Sequence, residues 1–230
     1  MQIVEQDNIP ADHSAKAALF DALAEVASAM SSGRRAELID ILAQGERSVE
    51  ELSSELEQSV ANTSHHLRTL ARASLIRSRR EGTHIFYRIA NEEVEELWTS
   101  IRRVAETVRA DLVTLAEAYL GHLEGLEVIG REDLMKQLAN ETMTVLDVRP
   151  NAEYRAGHVP GARSVPLAEL TGRLEELPED LPVVAYCRGS YCVFAPKAVQ
   201  ILREHGFKTV RLEEGFPEWR RAGLPVEFGD

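Results

Sequence analysis

Cysteine is almost absent from this chain. Its 230 residues hold two, Cys187 and Cys192, within one short stretch. Two thiols so close together cannot staple a fold, which excludes a disulfide framework. In a reducing compartment such a pair is reactive rather than structural. Long apolar runs are also missing: none approaches the roughly 20 residues of a membrane span. The opening residues are polar, without the basic-then-apolar pattern of an export signal. The chain is therefore expected to act in the cytoplasm, with no membrane partner. Positive charge is short overall, with 26 Lys and Arg against 38 Asp and Glu, a net charge of −12. That excludes a uniformly basic coat, so any nucleic-acid surface must be a local patch. What the chain does have is bulk. A hydrophobic content of 44% over this length is enough for two globular domains.

The most informative stretch holds the cysteines. Val183-Val184-Ala185-Tyr186 is a short apolar run that ends at Cys187-Arg188-Gly189-Ser190-Tyr191-Cys192. A pattern with helical spacing follows from Val193. This predicts strand, tight loop and helix. A thiol there meets converging backbone N–H groups and a helix N-terminus, both of which favour thiolate. Arg188 adds positive charge, and Gly189 lets the backbone turn sharply. The implied chemistry is a sulfur nucleophile carrying a transferable group. The competing explanation is a small buried cysteine near a strand end.

In the first half, residues 1–14 are expected to be a frayed tail, and helical patterns follow over Ser14–Met30 and Arg34–Gln44. Ser48-Val49-Glu50-Glu51 has the spacing of a capping box, with Leu52 and Leu56 turned to a core. Glu57-Gln58-Ser59 makes a turn. Val60–Ala73 forms a second helix, with Val60, Ser64, Leu67 and Leu70 inward and Asn62, Thr63, His65, His66, Arg68 and Thr69 outward. This is a helix-turn-helix arrangement whose outer side chains suit phosphates and base edges. Two alternating segments around Glu81-Gly82-Thr83 then predict a β-hairpin. Residues 62–90 carry six arginines (Arg68, Arg72, Arg77, Arg79, Arg80, Arg88) against one acid, Glu81. That local stripe is the footprint of a double-stranded DNA operator read by a helix and a wing. Asn91–Leu120 is expected to be one long amphipathic helix with an apolar stripe too wide for a small domain to cover alone.

Residues 15–120 resemble the ArsR/SmtB winged-helix repressors. The resemblance is carried by Ser64-His65-His66-Leu67-Arg68-Thr69-Leu70-Ala71-Arg72-Ala73-Ser74-Leu75-Ile76 and by Phe86-Tyr87-Arg88-Ile89. It implies that Ser64 joins Asn62, Thr63, His65, His66, Arg68, Thr69, Arg77, Arg79 and Arg80 as DNA-binding residues. It also implies a homodimer formed through the long helix and the first one; packing of the long helix against a second domain is the alternative. Ser74 departs from the family, which usually has Gly there. No cysteine stands in Glu50–Glu57, where many members hold a metal, and Asp111 and His122 lack the usual companions on the last helix. No metal site is expected in this half, and no cofactor in either.

Gly121–Gly125 reads as a linker, after which strand and helix alternate from residue 126 to 230. That predicts a mostly parallel α/β sheet with ligands beyond the carboxyl ends of its strands. This half resembles a rhodanese domain. The carrying residues are Leu146-Asp147-Val148-Arg149-Pro150, running on to Gly157-His158-Val159-Pro160-Gly161-Ala162, and Glu214-Gly215-Phe216-Pro217-Glu218-Trp219. Asp147 and Arg149, at a strand end, are placed to orient the cysteine loop by charged hydrogen bonds. The resemblance implies a Cys187 persulfide, loaded by a small sulfur donor (thiosulfate or polysulfide) and unloaded by a thiol acceptor. The loop's last position often holds Arg or Thr in active sulfurtransferases but here holds Cys192, which either resolves the persulfide or is simply a packed residue.

Two functions follow. The first is a dimeric repressor that senses sulfane sulfur through Cys187. The alternative is a rhodanese-type sulfurtransferase whose winged half only dimerises or recruits. A metal-responsive repressor comes third, because the metal cysteines are missing.

Overall fold

The computed structural model describes residues 13–121, 125–178 and 180–229. His122 lies outside them. The chain divides into two compact units, one of residues up to Ile41 with Arg47–Glu95, the other of Leu42–Glu46 with Glu96–Asp230.

In the first unit, α1 (His13–Met30) and α2 (Gly33–Leu42) precede a two-residue strand, β1 (Arg47–Ser48), and α3 (Val49–Glu55). The capping box is present: the Ser48 hydroxyl accepts from the Glu51 amide at 3.2 Å, and the Glu51 carboxylate accepts from the Ser48 amide at 2.7 Å. Each such cap satisfies donors that the first helical turn leaves open. Next come α4 (Val60–Arg72), capped by Ser59, and the strands β2 (Ile76–Glu81) and β3 (His84–Ile89). β2 and β3 pair antiparallel around Gly82, and β1 adds to the outer side of β3. The inward stripe of α4 is Thr63, Leu67 and Leu70, all fully buried. This corrects two expectations: Val60 is 46% exposed, and Thr63 takes the inward place given to Ser64. Thr63 and Leu67 are one turn apart, so they share a face.

The long helix expected over 91–120 is two helices. α5 (Glu92–Val108) ends at Arg109-Ala110-Asp111, and α6 (Leu112–Leu120) follows. Arg109 and Asp111 close a local ion pair at the break. Many apolar residues of α1, α5 and α6 stay exposed, among them Phe20, Leu23, Val108, Val113 and Tyr119.

The second unit adds a five-stranded, wholly parallel sheet to the later part of α5. Its elements are β4 (Val128–Ile129), α7 (Arg131–Ala139), β5 (Thr144–Asp147), α8 (Asn151–Ala156), β6 (Arg163–Ser164), β7 (Val183–Tyr186), α9 (Phe194–Glu204), β8 (Thr209–Leu212) and α10 (Phe216–Arg221). The strand order is β4-β8-β7-β5-β6. β7 is central and buried on both faces, which explains its unbroken apolar run. Side chains alternate across the sheet. Val183, Ala185 and Cys187 join one core cluster with Ala195 and Ala198 of α9, and Val184 and Tyr186 join the opposite one with Phe216 and Trp219. Among the described residues, no helix is long and apolar enough to cross a membrane.

Candidate functional site

The loop 187–192 leaves the carboxyl end of β7 beside that of β5, where the order of connections reverses. Open parallel sheets place ligands at such a point. Its frame is set by backbone. The Phe216 amide donates to the Cys187 carbonyl at 3.0 Å, and the Cys192 amide donates to the Gly189 carbonyl at 3.0 Å. Gly189 has φ +145°, which favours glycine. Gly215 lies against the loop so closely that a Cβ would stand 2.2 Å from the Gly189 nitrogen. Only a residue without a side chain fits there.

The charged groups divide the work differently from the expectation. Asp147 and Arg149 are fully buried and bind each other through a bidentate pair, with the closest contact at 2.6 Å. Arg149 also donates to the Gly157 carbonyl at 2.8 Å, and the Tyr186 hydroxyl donates to Asp147 at 2.6 Å. None of these bonds reaches residues 188–192. The pair braces the ends of β5 and β7 and the turn at Gly157, so it supports Cys187 only through its neighbour Tyr186. Burial, then the adjacent Asp147 charge, push the Tyr186 hydroxyl well up, so it stays a proton donor. The residue that does hold the loop is Glu153 of α8, which had no role in the sequence reading. Its buried carboxylate accepts from Arg188 Nε at 3.1 Å on both oxygens. The Arg188 charge is thus engaged by Glu153 rather than aimed at Cys187. The signal in the sequence was a carboxylate six residues after Asp147, on the short helix that follows β5.

The thiols also depart from expectation. Cys187 is 3% exposed and packs in the apolar cluster under α9. Burial pushes its thiol well up, and the neighbouring Cys192 adds to this, while the Gly189 and Ala195 amides pull less strongly the other way. It is a proton donor, 3.8 Å from the Gly189 carbonyl and 3.7 Å from the Cys192 carbonyl. Cys192 is half-buried. The hydrogen bond from Cys187 holds its thiol below the ordinary value; burial opposes, and the Phe194 and Arg188 amides assist. Burial therefore works against the thiolate expected at Cys187. Strand parity is the reason, since Cys187 continues the core-facing series of Val183 and Ala185. Ser190 is exposed, and the Tyr191 hydroxyl donates to Glu106 of α5 at 2.9 Å. Arg102 of the same helix donates to Glu218 at 2.6 Å, and Glu218 accepts from the Gly215 amide at 3.2 Å.

On the first unit, Asn62, His65 and Arg68 of α4 and Arg77, Arg79, Arg80 and Arg88 of the hairpin are exposed. Arg77 stands directly opposite Arg88 across the hairpin. Arg79 lies over the Phe86 ring at 4.6 Å and pairs with Glu81. Ser64, His66 and Thr69 are half-buried. His66 Nδ1 and Thr63 Oγ1 are buried with no hydrogen-bond partner among the described residues. Burial, then the Arg35 charge, hold the His66 imidazole below its usual value. Thr63 is withdrawn as an outward-facing residue. Among the described residues, no three His, Cys, Asp or Glu side chains cluster as a metal site would.

Helix-turn-helix plus hairpin, joined to a parallel sheet with a cysteine loop at its carboxyl edge, defines a winged-helix regulator carrying a rhodanese-like domain. Residues 32–78 match the arsR family of bacterial regulatory proteins, and residues 131–222 match the rhodanese-like domain. The chain is 45% identical to the HTH-type transcriptional regulator Rv0324 of Mycobacterium tuberculosis, over 93% of this chain and 94% of that one. It belongs to the arsR family of bacterial regulatory proteins, in a form that carries a rhodanese-like domain. A sulfurtransferase of Allochromatium vinosum is 33% identical over 43% of this chain and 92% of its own. Among solved structures, the homodimeric winged helix-turn-helix DNA-binding domain of Mb0332 from Mycobacterium bovis is 36% identical, covers 47% of this chain and 94% of its own, and has a TM-score of 0.39.

Proposed function

We propose that this chain is a dimeric, DNA-binding transcriptional regulator whose rhodanese-like domain, residues 126–230, handles sulfane sulfur at the Cys187–Cys192 loop. One observation carries this: the only two cysteines of the sequence are in mutual contact within one loop at the ligand-binding edge of a parallel sheet. A donor such as polysulfide or thiosulfate loads the loop, and a thiol acceptor unloads it.

The DNA side is supported by the exposed Asn62, His65, Arg68, Arg77, Arg79 and Arg80. Arg77 opposite Arg88 is a like-charge pair that destabilises a bare hairpin. A phosphate backbone would turn that cost into binding. The exposed apolar residues of α1, α5 and α6 are what a homodimer interface would cover. α5 runs on from the DNA-reading unit into the second unit, where it bonds to Tyr191 and, through Glu218, to Gly215. A change in the loop would then shift α5 and with it the operator affinity.

The test is binding to DNA from the chain's own upstream region, before and after polysulfide treatment. A several-fold change in affinity is expected in the wild type and none in a Cys187→Ala, Cys192→Ala double variant. Equal affinity before and after in the wild type refutes the sensing role. A second reading, a sulfurtransferase, is favoured by the likeness to the Allochromatium protein of that name. Cysteine-dependent turnover of thiosulfate with no sequence-specific DNA binding would select it.

A further inference from the structure

Two carboxylates and two arginines meet beside the cysteine loop. One of these arginines, Arg102, comes from α5, whose later part lies in the same compact unit as the loop. Arg102 Nη2 donates to Glu218 at 2.6 Å, and the side chain is 16% exposed. Its Nη1 stands 3.6 Å from the point that a Cβ on Gly189 would occupy, so the guanidinium rests against the backbone of the loop. The Arg102 charge also acts on Tyr191, whose hydroxyl donates to Glu106, one turn further along α5. The loop's own arginine is committed elsewhere, since Arg188 is turned to the Glu153 carboxylate. Arg102 therefore brings a guanidinium to the middle of the loop, next to the exposed Ser190. Its partner Glu218 is held by two further donors, Arg221 Nη2 at 2.8 Å and the Gly215 amide at 3.2 Å. Arg102 can thus turn to another anion without leaving Glu218 a bare carboxylate.

We propose that Arg102 is a specificity-determining residue of the loop, selecting an anionic sulfur donor whose oxygens its guanidinium can hold, the class to which thiosulfate belongs. This deepens the sulfane-sulfur reading of the loop and rests on it. The incoming dianion takes Arg102 over from Glu218, and the planar fork of the guanidinium matches a pair of its oxygens. The Cys187 sulfur attacks the donor's sulfane sulfur. The donor's S–S bond breaks, and its electron pair leaves with the sulfite. The thiol proton leaves on the sulfite as well. A thiol and thiosulfate thus become a Cys187 persulfide anion and bisulfite, with the charge conserved and no other oxidant or reductant consumed. Arg102 faces the anion before and after the transfer, so it acts on donor selection rather than on the sulfur itself. It also sits on the helix that runs on from the DNA-reading unit, so that helix meets the donor before any sulfur is transferred.

The full-length protein is treated anaerobically with thiosulfate and, in a separate reaction, with dimethyl trisulfide, an uncharged sulfane-sulfur donor. Mass spectrometry reads the rate at which the loop peptide gains sulfur, and the ratio of the thiosulfate rate to the trisulfide rate is compared between variants. Arg102→Gln keeps an amide donor for Glu218 and removes the charge. It should lower the ratio about tenfold, the worth of one charge-assisted hydrogen bond. Arg102→Lys restores the charge without the fork and should recover part of that loss. A purely structural role slows both donors alike and leaves the ratio at its wild-type value. That result, or a ratio as low in Arg102→Lys as in Arg102→Gln, overturns the assignment and leaves the sulfur-handling function standing. So does a wild type that takes sulfur from the trisulfide and none from thiosulfate. If the wild type takes sulfur from neither, both readings fall together.

Discussion

Replacing Gly215 by Ala tests whether the cysteine loop is held by direct backbone contact. The glycine has φ −114° and ψ −175°, which any residue adopts, so the substitution carries no backbone strain of its own. The added methyl would stand 2.2 Å from the Gly189 nitrogen and 2.4 Å from the Arg188 carbonyl carbon, where ordinary contact starts at 3.4 Å. The loop must therefore retreat by about 1.2 Å, the difference of those two distances. Backbone cannot swing aside as a flexible side chain does. Overpacking of this kind costs about 1–3 kcal/mol, and loss of the bond from Phe216 N to Cys187 O adds about 1 kcal/mol. The sum is about 2–4 kcal/mol, a large fraction of a domain's stability. Urea denaturation followed by tryptophan fluorescence measures it, since Trp98 and Trp219 both lie in the second unit. Gly172→Ala is the control: nothing lies within 4 Å of its added methyl, and a change of at most about 1 kcal/mol, in the stabilising direction, is expected. Gly215→Ala within 0.5 kcal/mol of wild type, a margin of roughly measurement size, would falsify the contact.

Glu153→Gln should cost about 2–3 kcal/mol and loosen the loop. That is below the roughly 3–5 kcal/mol of a fully buried broken pair, because Arg188 keeps an edge to solvent; the same denaturation assay reads it, and an unchanged midpoint refutes the clamp. Ser74 sits at φ +59°. Ser74→Gly should stabilise the first unit by roughly 0.5–1 kcal/mol, the relief of left-handed strain less the entropy of glycine, checked by the calorimetric melting temperature. Arg80→Ala should weaken DNA binding on all sequences and lower the slope of log affinity against log salt by about 1; an identical slope places the wing away from the phosphates. Alkylation should rise with pH for both thiols, because thiolate is the reactive form. The midpoint for Cys187 should lie above the ordinary thiol range, because burial penalises its charged form; a midpoint within or below that range refutes its burial.

Local pattern was enough for much of the fold. The capping box at Ser48, the hairpin around Gly82, the alternation of strand and helix after residue 126 and the buried core tryptophan Trp219 are all encoded within a few neighbouring residues. Their physics is also local: a hydroxyl three residues before a carboxylate, a glycine where φ is positive, a run of β-branched residues. Errors came where a choice depends on what packs alongside. Thr63 and Ser64 are adjacent small hydroxyl residues, and only the position of α4 against its neighbours decides which one turns in. The break at Arg109–Asp111 leaves the apolar spacing almost intact on both sides, so periodicity passes over it.

The sequence by itself determined that this chain carries two modules, that one wears a basic stripe on an acidic protein, and that both thiols lie in one loop between strand and helix. Those properties are order and composition, and no folding can change them. Tertiary structure alone decided which thiol is buried, that Glu153 rather than Asp147 or Arg149 holds the loop, and that Gly215 must lack a side chain. Each of these depends on groups many residues apart being brought within a few ångströms, where burial and close contact set proton affinity and fit.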